Sequence, residues 1–431
     1  MLTIVEATDQ PAVRALLTPA RSTDSTTERR VAAIVGAVRR EGDKALLRYA
    51  RRFDSLDGPI EITQEEMRDA AAQVSGSVRT AIRSAAKHIR TVARRQVPRR
   101  WRAPVLPGVS VEQRIIPLDR VGCYVPGGRY PLPSSLLMTA LPAAVAGVGE
   151  IIVACPRPEP VVMAAALEAR VTRMFRVGGA HAVAALAYGT RTVPRVDKIV
   201  GPGNRYVSSA KALVASDCGI DFYAGPTEIV IVSARGPATW IAADLIAQAE
   251  HDPDARAVLI TPSRTLAARV ARAVETQMPQ EGPAREALRA HGGIIVTSSS
   301  KEAMALANAS APEHLVVDDD RLAAMVRCAG SVFVGPWSAQ VAGDYAIGSN
   351  HVLPTAGAAR ARGGLSAADF VRQITVQRVT RAGLGRIGGT VMTLATAEGL
   401  VGHAASVGIR LKGQPTPPKT KPSRTVRGRA T

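Results

Sequence analysis

Apolar positions change their period along the chain. Between residues 25 and 98 they recur at helical spacing, as in Val31, Ile34, Val35 and Val38, and again at Met67, Ile82, Ile89 and Val92. That period predicts amphipathic helices whose intervening arginines face water. Ser25 with Glu28 and Thr63 with Glu66 are capping boxes, in which side chains satisfy the free amides of a first turn. From about Asp119 the pattern changes: short β-branched runs alternate with longer Ala/Leu stretches. The runs 151–155, 174–177, 198–200, 229–232, 257–260, 293–297, 314–317 and 331–334 read as strands. The stretches 133–146, 161–169, 180–187, 204–214, 238–250, 264–276 and 321–328 read as helices. Alternation of this kind builds parallel sheets covered by helices on both faces. There are too many units for one comfortable sheet, so two α/β domains are expected. Residues after about Ser366 read as helical to about Leu411.

Ligands of open α/β sheets sit beyond the carboxyl ends of the strands. Four turns here are rich in glycine: Pro126-Gly127-Gly128, Gly178-Gly179, Gly201-Pro202-Gly203-Asn204 and Gly225-Pro226-Thr227-Glu228. Any one could be an ordinary turn; four together point to backbone lying close to a ligand. No G-x-G-x-x-G is present, so the usual dinucleotide fingerprint is missing.

Composition narrows the classes. The net charge of +19 raises the question of a nucleic-acid partner. Aromatic residues make up only 3% of the chain and are not interleaved with the basic ones, so a solvated arginine-rich surface is the expected reading. Part of the excess lies in residues 414–431, which carry four prolines, no acid and no apolar pattern; a disordered basic tail is expected. The four cysteines, Cys123, Cys155, Cys218 and Cys328, are widely separated, which argues for free thiols over a disulfide framework. The first residues lack a basic start and apolar core, and the longest apolar stretch, 136–148, is too short to span a membrane. No membrane partner and a cytoplasmic location are therefore expected.

Candidate chemistry gathers around a few polar residues. Gln248 and His251 share a helix face at i, i+3 and could offer an oxygen and a nitrogen to one metal. Asp344, followed by His351, and His403, preceded by Glu398, supply further donors. One Gln, one Asp and two His form a set acceptable to zinc. Glu313-His314 stands just before a predicted strand; a histidine titrating near neutrality can take a hydroxyl proton, and a neighbouring glutamate can activate water. Both side chains face one site only if the turn before the strand allows it. His88 and His291 lack polar neighbours in sequence and read as surface residues.

Taken in order, these segments resemble the histidinol dehydrogenase family. The resemblance runs from about Ser25 to Leu411 and is carried by Val121–Gly128, Lys198–Asn204, Gly225–Glu228, Gln248-Ala249-Glu250-His251, Pro312–Leu315, Gly343-Asp344-Tyr345 and Asn350–Thr355. It implies an α/β fold of two Rossmann-like parallel-sheet domains with helical N-terminal and C-terminal extensions. The expected division is an extension over 1–24, a first domain over 25–123 plus 229–365, and a second over 124–228. An exchanged helical segment over 366–413 and the tail complete it. The activity implied is the two-step, NAD-dependent oxidation of L-histidinol through L-histidinal to L-histidine. The alternative is a zinc- and NAD-dependent dehydrogenase of the same fold acting on another polar alcohol. Zinc would be held by Gln248, His251, Asp344 and His403, which anchors the substrate. Glu313 and His314 match the acid/base pair. Thr227, His351 and Glu398 match substrate contacts, and Tyr124 and Asn204 match NAD contacts. His181 stands where members commonly have glutamine at a cofactor position; an imidazole can still donate one hydrogen bond. The family is a homodimer whose C-terminal segment reaches the partner's site, so Glu398 and His403 would act in trans.

Overall fold

The computed structural model describes residues 2–18, 25–127, 130–223 and 225–413; Gly128 and the expected disordered tail lie outside them. Two six-stranded sheets dominate the larger of two units, which comprises residues 1–97 and 117–371. All eight predicted strands are present, within a residue or two of the ends expected.

The first sheet runs, edge to edge, Thr3–Glu6, Gly292–Val296, Arg256–Thr261, Glu228–Val232, His314–Val317 and Ser331–Val334, with every pairing parallel. Taking the five strands from Glu228 onward in chain order, their lateral order is 3-2-1-4-5. The second sheet repeats it: Arg173–Phe175, Glu150–Ala154, Arg120–Tyr124, Lys198–Val200 and Gly219–Ile220 are again 3-2-1-4-5, with the antiparallel Glu61–Ile62 added at one edge. Two copies of a Rossmann-like half follow.

Both sheets are buried on both faces, as parallel sheets require. In the first, Ile229, Ile231, Ala257 and Leu259 pack to one side and Val230, Val232, Val258 and Ile260 to the other. The second does the same with Val121, Cys123, Ile151 and Val153 against Ile152, Ala154 and Ile199. Cys123, Cys155 and Cys218 are buried free thiols.

The expected division of the chain is corrected in three places. Residues 2–18 are no extension: Thr3–Glu6 pairs with Gly293–Val296, and Val13 and Leu17 join the first sheet's core. The helical region 25–97 packs on the second sheet, with Val31, Val35 and Val38 on one face and Met67, Ile82 and Ile89 on the other. Arg120–Tyr124 is the central strand of that same sheet. A helix's apolar stripe shows that it must be covered, but not which sheet covers it.

The smaller unit comprises residues 98–116 and 372–431. Its sheet orders Val371–Val379, Val109–Pro117 and Trp101–Leu106, so the segment read as wholly helical begins with a strand. At its centre Glu112 is buried; hydrogen bonds from Arg378 and Arg114, with Arg100 adding charge, hold its carboxyl down at about 2. The helices Arg381–Ala397 and Val401–Lys412 follow, burying only Gly383, Gly388 and Ala395. No helix among the described residues is long and apolar enough to cross a membrane.

Candidate active site

Thr227 precedes the central strand of the first sheet, and Glu313 precedes the strand beside it, where Ile229 pairs with His314. The helix Ser300–Ser310 ends on Ala311 in a left-handed conformation (φ 50°), which turns the chain into that strand. Glu313 thereby aims back across the sheet. Its Oε2 accepts from Thr227 Oγ1 at 2.6 Å and Glu228 N at 2.8 Å, and it lies 3.6 Å from His314 Nδ1. The adjacent pair does share one site.

Gln248 closes the chain of contacts. It is fully buried at the end of the helix Ala238–Ala249, and its Nε2 donates to Thr227 Oγ1. Its Oε1 is buried with no partner among the described residues. An orphaned amide oxygen of this kind is costly unless something not present satisfies it. His251, exposed just beyond, is close enough for its charge to reach Glu313, His314, Asp344 and His351. Asp344 sits in the short helix Val341–Tyr345 and accepts from Gln340 Nε2 at 3.3 Å. Its carbonyl lies 3.2 Å from His351 Nδ1, while Ser135 Oγ lies 3.5 Å from His351 Nε2.

Burial sets the proton affinities. It pushes Glu313 up to about 7, against the hydrogen bonds from Thr227 and Glu228 N. It pushes His314 and His351 down to about 4 and raises Asp344. Burial thus brings Glu313, rather than His314, near neutrality. His314 Nδ1 lies 3.1 Å from the Glu228 carbonyl; donation there leaves Nε2 free to accept.

The putting-together of the remaining candidates is uneven. Tyr124 ends the central strand of the second sheet, where its buried hydroxyl accepts from Gly179 N at 3.0 Å. Asn204 caps the helix Arg205–Val214, its Oδ1 accepting from Tyr206 N and Val207 N at 3.0 and 3.2 Å, so its amide nitrogen remains available. These turns flank the second sheet's switch in strand order, between Arg120–Tyr124 and Lys198–Val200. By contrast Gly225–Glu228 lies at the amino end of its strand, not the carboxyl end expected of a ligand turn. His181 is buried: Nε2 lies 2.7 Å from Asp54 Oδ2, and its ring packs near Tyr49 and Phe53. Its imidazole is thus engaged inside the protein. Glu398 and His403 belong to the smaller unit, where both are exposed.

Several supporting residues escaped the sequence reading. Glu228 is a buried acid raised to about 7 by burial and by Glu313; a carboxylate opening the apolar run EIVIV was the signal. Lys211 and Asp221 form a buried ion pair that braces the Gly201 turn, through Lys211 Nζ to Gly201 O at 2.9 Å and Gly201 N to Asp221 Oδ2 at 2.8 Å. Gly201 itself has φ 119° and no room for a Cβ against the Tyr124 carbonyl. His88, expected to be alone, has Nδ1 2.7 Å from Ala346 O, in the loop between Asp344 and His351.

The sequence model described as histidinol dehydrogenase matches residues 18–411. The chain belongs to the histidinol dehydrogenase family. It is 43% identical over 415 residues to the histidinol dehydrogenase of Geobacter metallireducens, covering 93% of this chain and 95% of the relative. It is 44% identical over 396 residues to that of Methanothermobacter thermautotrophicus, covering 89% and 93%. The crystal structure of histidinol dehydrogenase from Elizabethkingia anophelis superposes with a TM-score of 0.91 at 32% identity, covering 95% of this chain and 98% of that one. Membership makes the chain an oxidoreductase of histidine biosynthesis, and coverage this complete disfavours a dehydrogenase for another polar alcohol.

Proposed function

We propose that the chain oxidises L-histidinol through L-histidinal to L-histidine as a homodimer in the cytoplasm, with one zinc ion per subunit and two NAD reduced per turnover. The observation that carries the reading is the buried chain Gln248–Thr227–Glu313 beside His314, with the Gln248 oxygen left unsatisfied. Among the described residues no three His, Cys, Asp or Glu side chains cluster as a metal site. A set containing Gln248 needs only His251 and Asp344 from this unit, and the orphaned oxygen fits it. Those three, with His403 of the partner subunit, would hold the zinc, which when bound anchors the imidazole and amine of the substrate. Tyr124 and Asn204 would hold NAD, which would supply the hydride acceptor; His181, tied to Asp54, would make no direct contact with it.

The remaining work falls to the chain's own groups. His314 Nε2 takes the hydroxyl proton as the alcohol is oxidised, its orientation fixed by the Glu228 carbonyl. Glu313 uses Oε2 for Thr227 and Glu228 N, so Oε1 is left to take a proton from the water that adds to the aldehyde. Burial pushes the Glu313 carboxyl up to about 7, which brings its titration near neutral pH, where a general base is most effective. Thr227, His351 and Glu398 of the partner subunit would contact the substrate. Exposed Leu394, Val401 and Ile409 on the C-terminal helices give a partner subunit an apolar face to cover. The test is NADH formation from a panel of polar alcohols, with and without a zinc chelator. The reading expects chelator-sensitive turnover of histidinol far above the rest; an equal or better rate with an alcohol lacking imidazole would overturn it.

A further inference from the structure

The two sheets share one strand order, so each has a switch point where the order reverses, and ligands of such sheets bind outside the carboxyl ends there. In the second sheet that point carries Tyr124 and the Gly201 turn. In the first it falls between Val232 and Val317, and a cavity of about 350 Å³ opens there. Its volume lies within the range of about 300–1,000 Å³ found for small-molecule sites. The groups already described sit at the opposite, amino ends of these strands.

The lining indicates what the cavity accepts. Trp240, Ile241 and Asp244 share one face of the helix Ala238–Ala249, and with Pro237, which precedes its first turn, they line the cavity. Trp240 meets Trp337 at 5.1 Å between ring centres and 57° between planes, making an aromatic corner. Trp337 is 86% exposed, a poor place for an indole with nothing to cover it. Asp244 has no hydrogen bond or ion pair to any described residue, and burial pushes its carboxyl up to about 6. Asp318 also lines the cavity, its Oδ2 accepting from Ala234 N at 2.8 Å. The one cation there, Arg235, is paired with Asp319 at 2.6 Å. The amino end of the helix favours an anion, but its partial charge is outweighed by Asp244 and Asp318. Each turn here carries a single glycine, Gly236 or Gly335, where the second sheet has Gly201-Pro202-Gly203. In a chain of net charge +19 this is a locally acidic, aromatic pocket.

We propose that the switch point of the first sheet is a second ligand site, which binds an alkylammonium head against Trp240 and Trp337 with Asp244 as its counter-charge. Aromatic faces attract such cations, and desolvation beside a carboxylate strengthens the contact.

Choline serves as the probe, with dimethylbutanol, in which carbon replaces the ammonium nitrogen, as its neutral isostere. Trp240 and Trp337 are two of three tryptophans, so their fluorescence reports occupancy, with calorimetry alongside. Saturable choline binding in the millimolar range is expected, at least about tenfold tighter than the isostere. Asp244→Asn and Trp337→Ala should each lose most of that preference while melting like the parent chain. Trp337 is exposed and Asp244→Asn is isosteric, so neither change threatens folding. No saturable choline binding, equal binding of the isostere, or binding unchanged in Asp244→Asn would overturn the site.

Discussion

Replacing Glu313 by glutamine separates the two oxidations. Oε2 accepts from Thr227 and from Glu228 N, and an amide oxygen can accept both, so the buried framework survives while the base is removed. Alcohol oxidation needs a base for the hydroxyl proton, assigned to His314; aldehyde oxidation also needs a water to add to the carbonyl. General-base catalysis contributes about 10²–10⁴-fold, or about 2.7–5.4 kcal/mol at 1.36 kcal/mol per decade. Histidinol and histidinal are supplied separately, and NADH formation is followed from each. Glu313→Gln should slow the aldehyde reaction about 10²-fold or more beyond its effect on the alcohol. The parent's aldehyde rate should also rise as pH passes upward through about 7, because the ionised form is the base, and the variant should lose that rise. Equal slowing of both steps would refute the assignment and leave Glu313 a positioning role.

Three other outcomes follow from the same geometry. His251→Ala should lose bound zinc and activity together while melting like the parent, since His251 is exposed and supports no core; stoichiometric zinc with full turnover would reject the ligand set. Mixing inactive His403→Ala with inactive His314→Ala should restore part of the activity, because one site of a mixed dimer draws both residues intact; no recovery after demonstrated subunit exchange would rule out sharing in trans. Lys211→Met leaves Asp221 buried without its counter-charge, which costs about 3–5 kcal/mol and should lower the melting temperature; an unchanged melt would mean that the pair does not brace the Gly201 turn.

Legibility in the sequence followed burial. The eight strands read correctly are short β-branched runs inside parallel sheets, where both faces are apolar and no alternation is needed. Arg120–Tyr124 was missed although central, because Gly122 interrupts its apolar run. Val371–Val379 lies inside the segment expected to be wholly helical, although Ile374 and Val376 alternate with polar residues as a strand does. The domain division failed for a different reason: helical stripes at Val31–Val38 and Met67–Ile89 announce burial without naming the sheet that receives them. At the candidate site, residue types and spacings only raised Gln248, Glu313 and His314 as candidates, and the family resemblance assigned them roles; the fold brings the three together. Types and spacings could not give the proton affinities, which depend on burial that only the folded chain produces. Nor could they show that Asp54 engages His181 from more than a hundred residues away in sequence.

The central claim is two successive oxidations at one site, and the stoichiometry of a limiting substrate tests it most directly. Purified protein is given a known amount of L-histidinol with excess NAD, and NADH and histidine are measured at completion. Two NADH and one histidine per histidinol consumed is the predicted result. One NADH per histidinol with aldehyde as the end product, or no NADH at all from zinc-loaded protein, would contradict it.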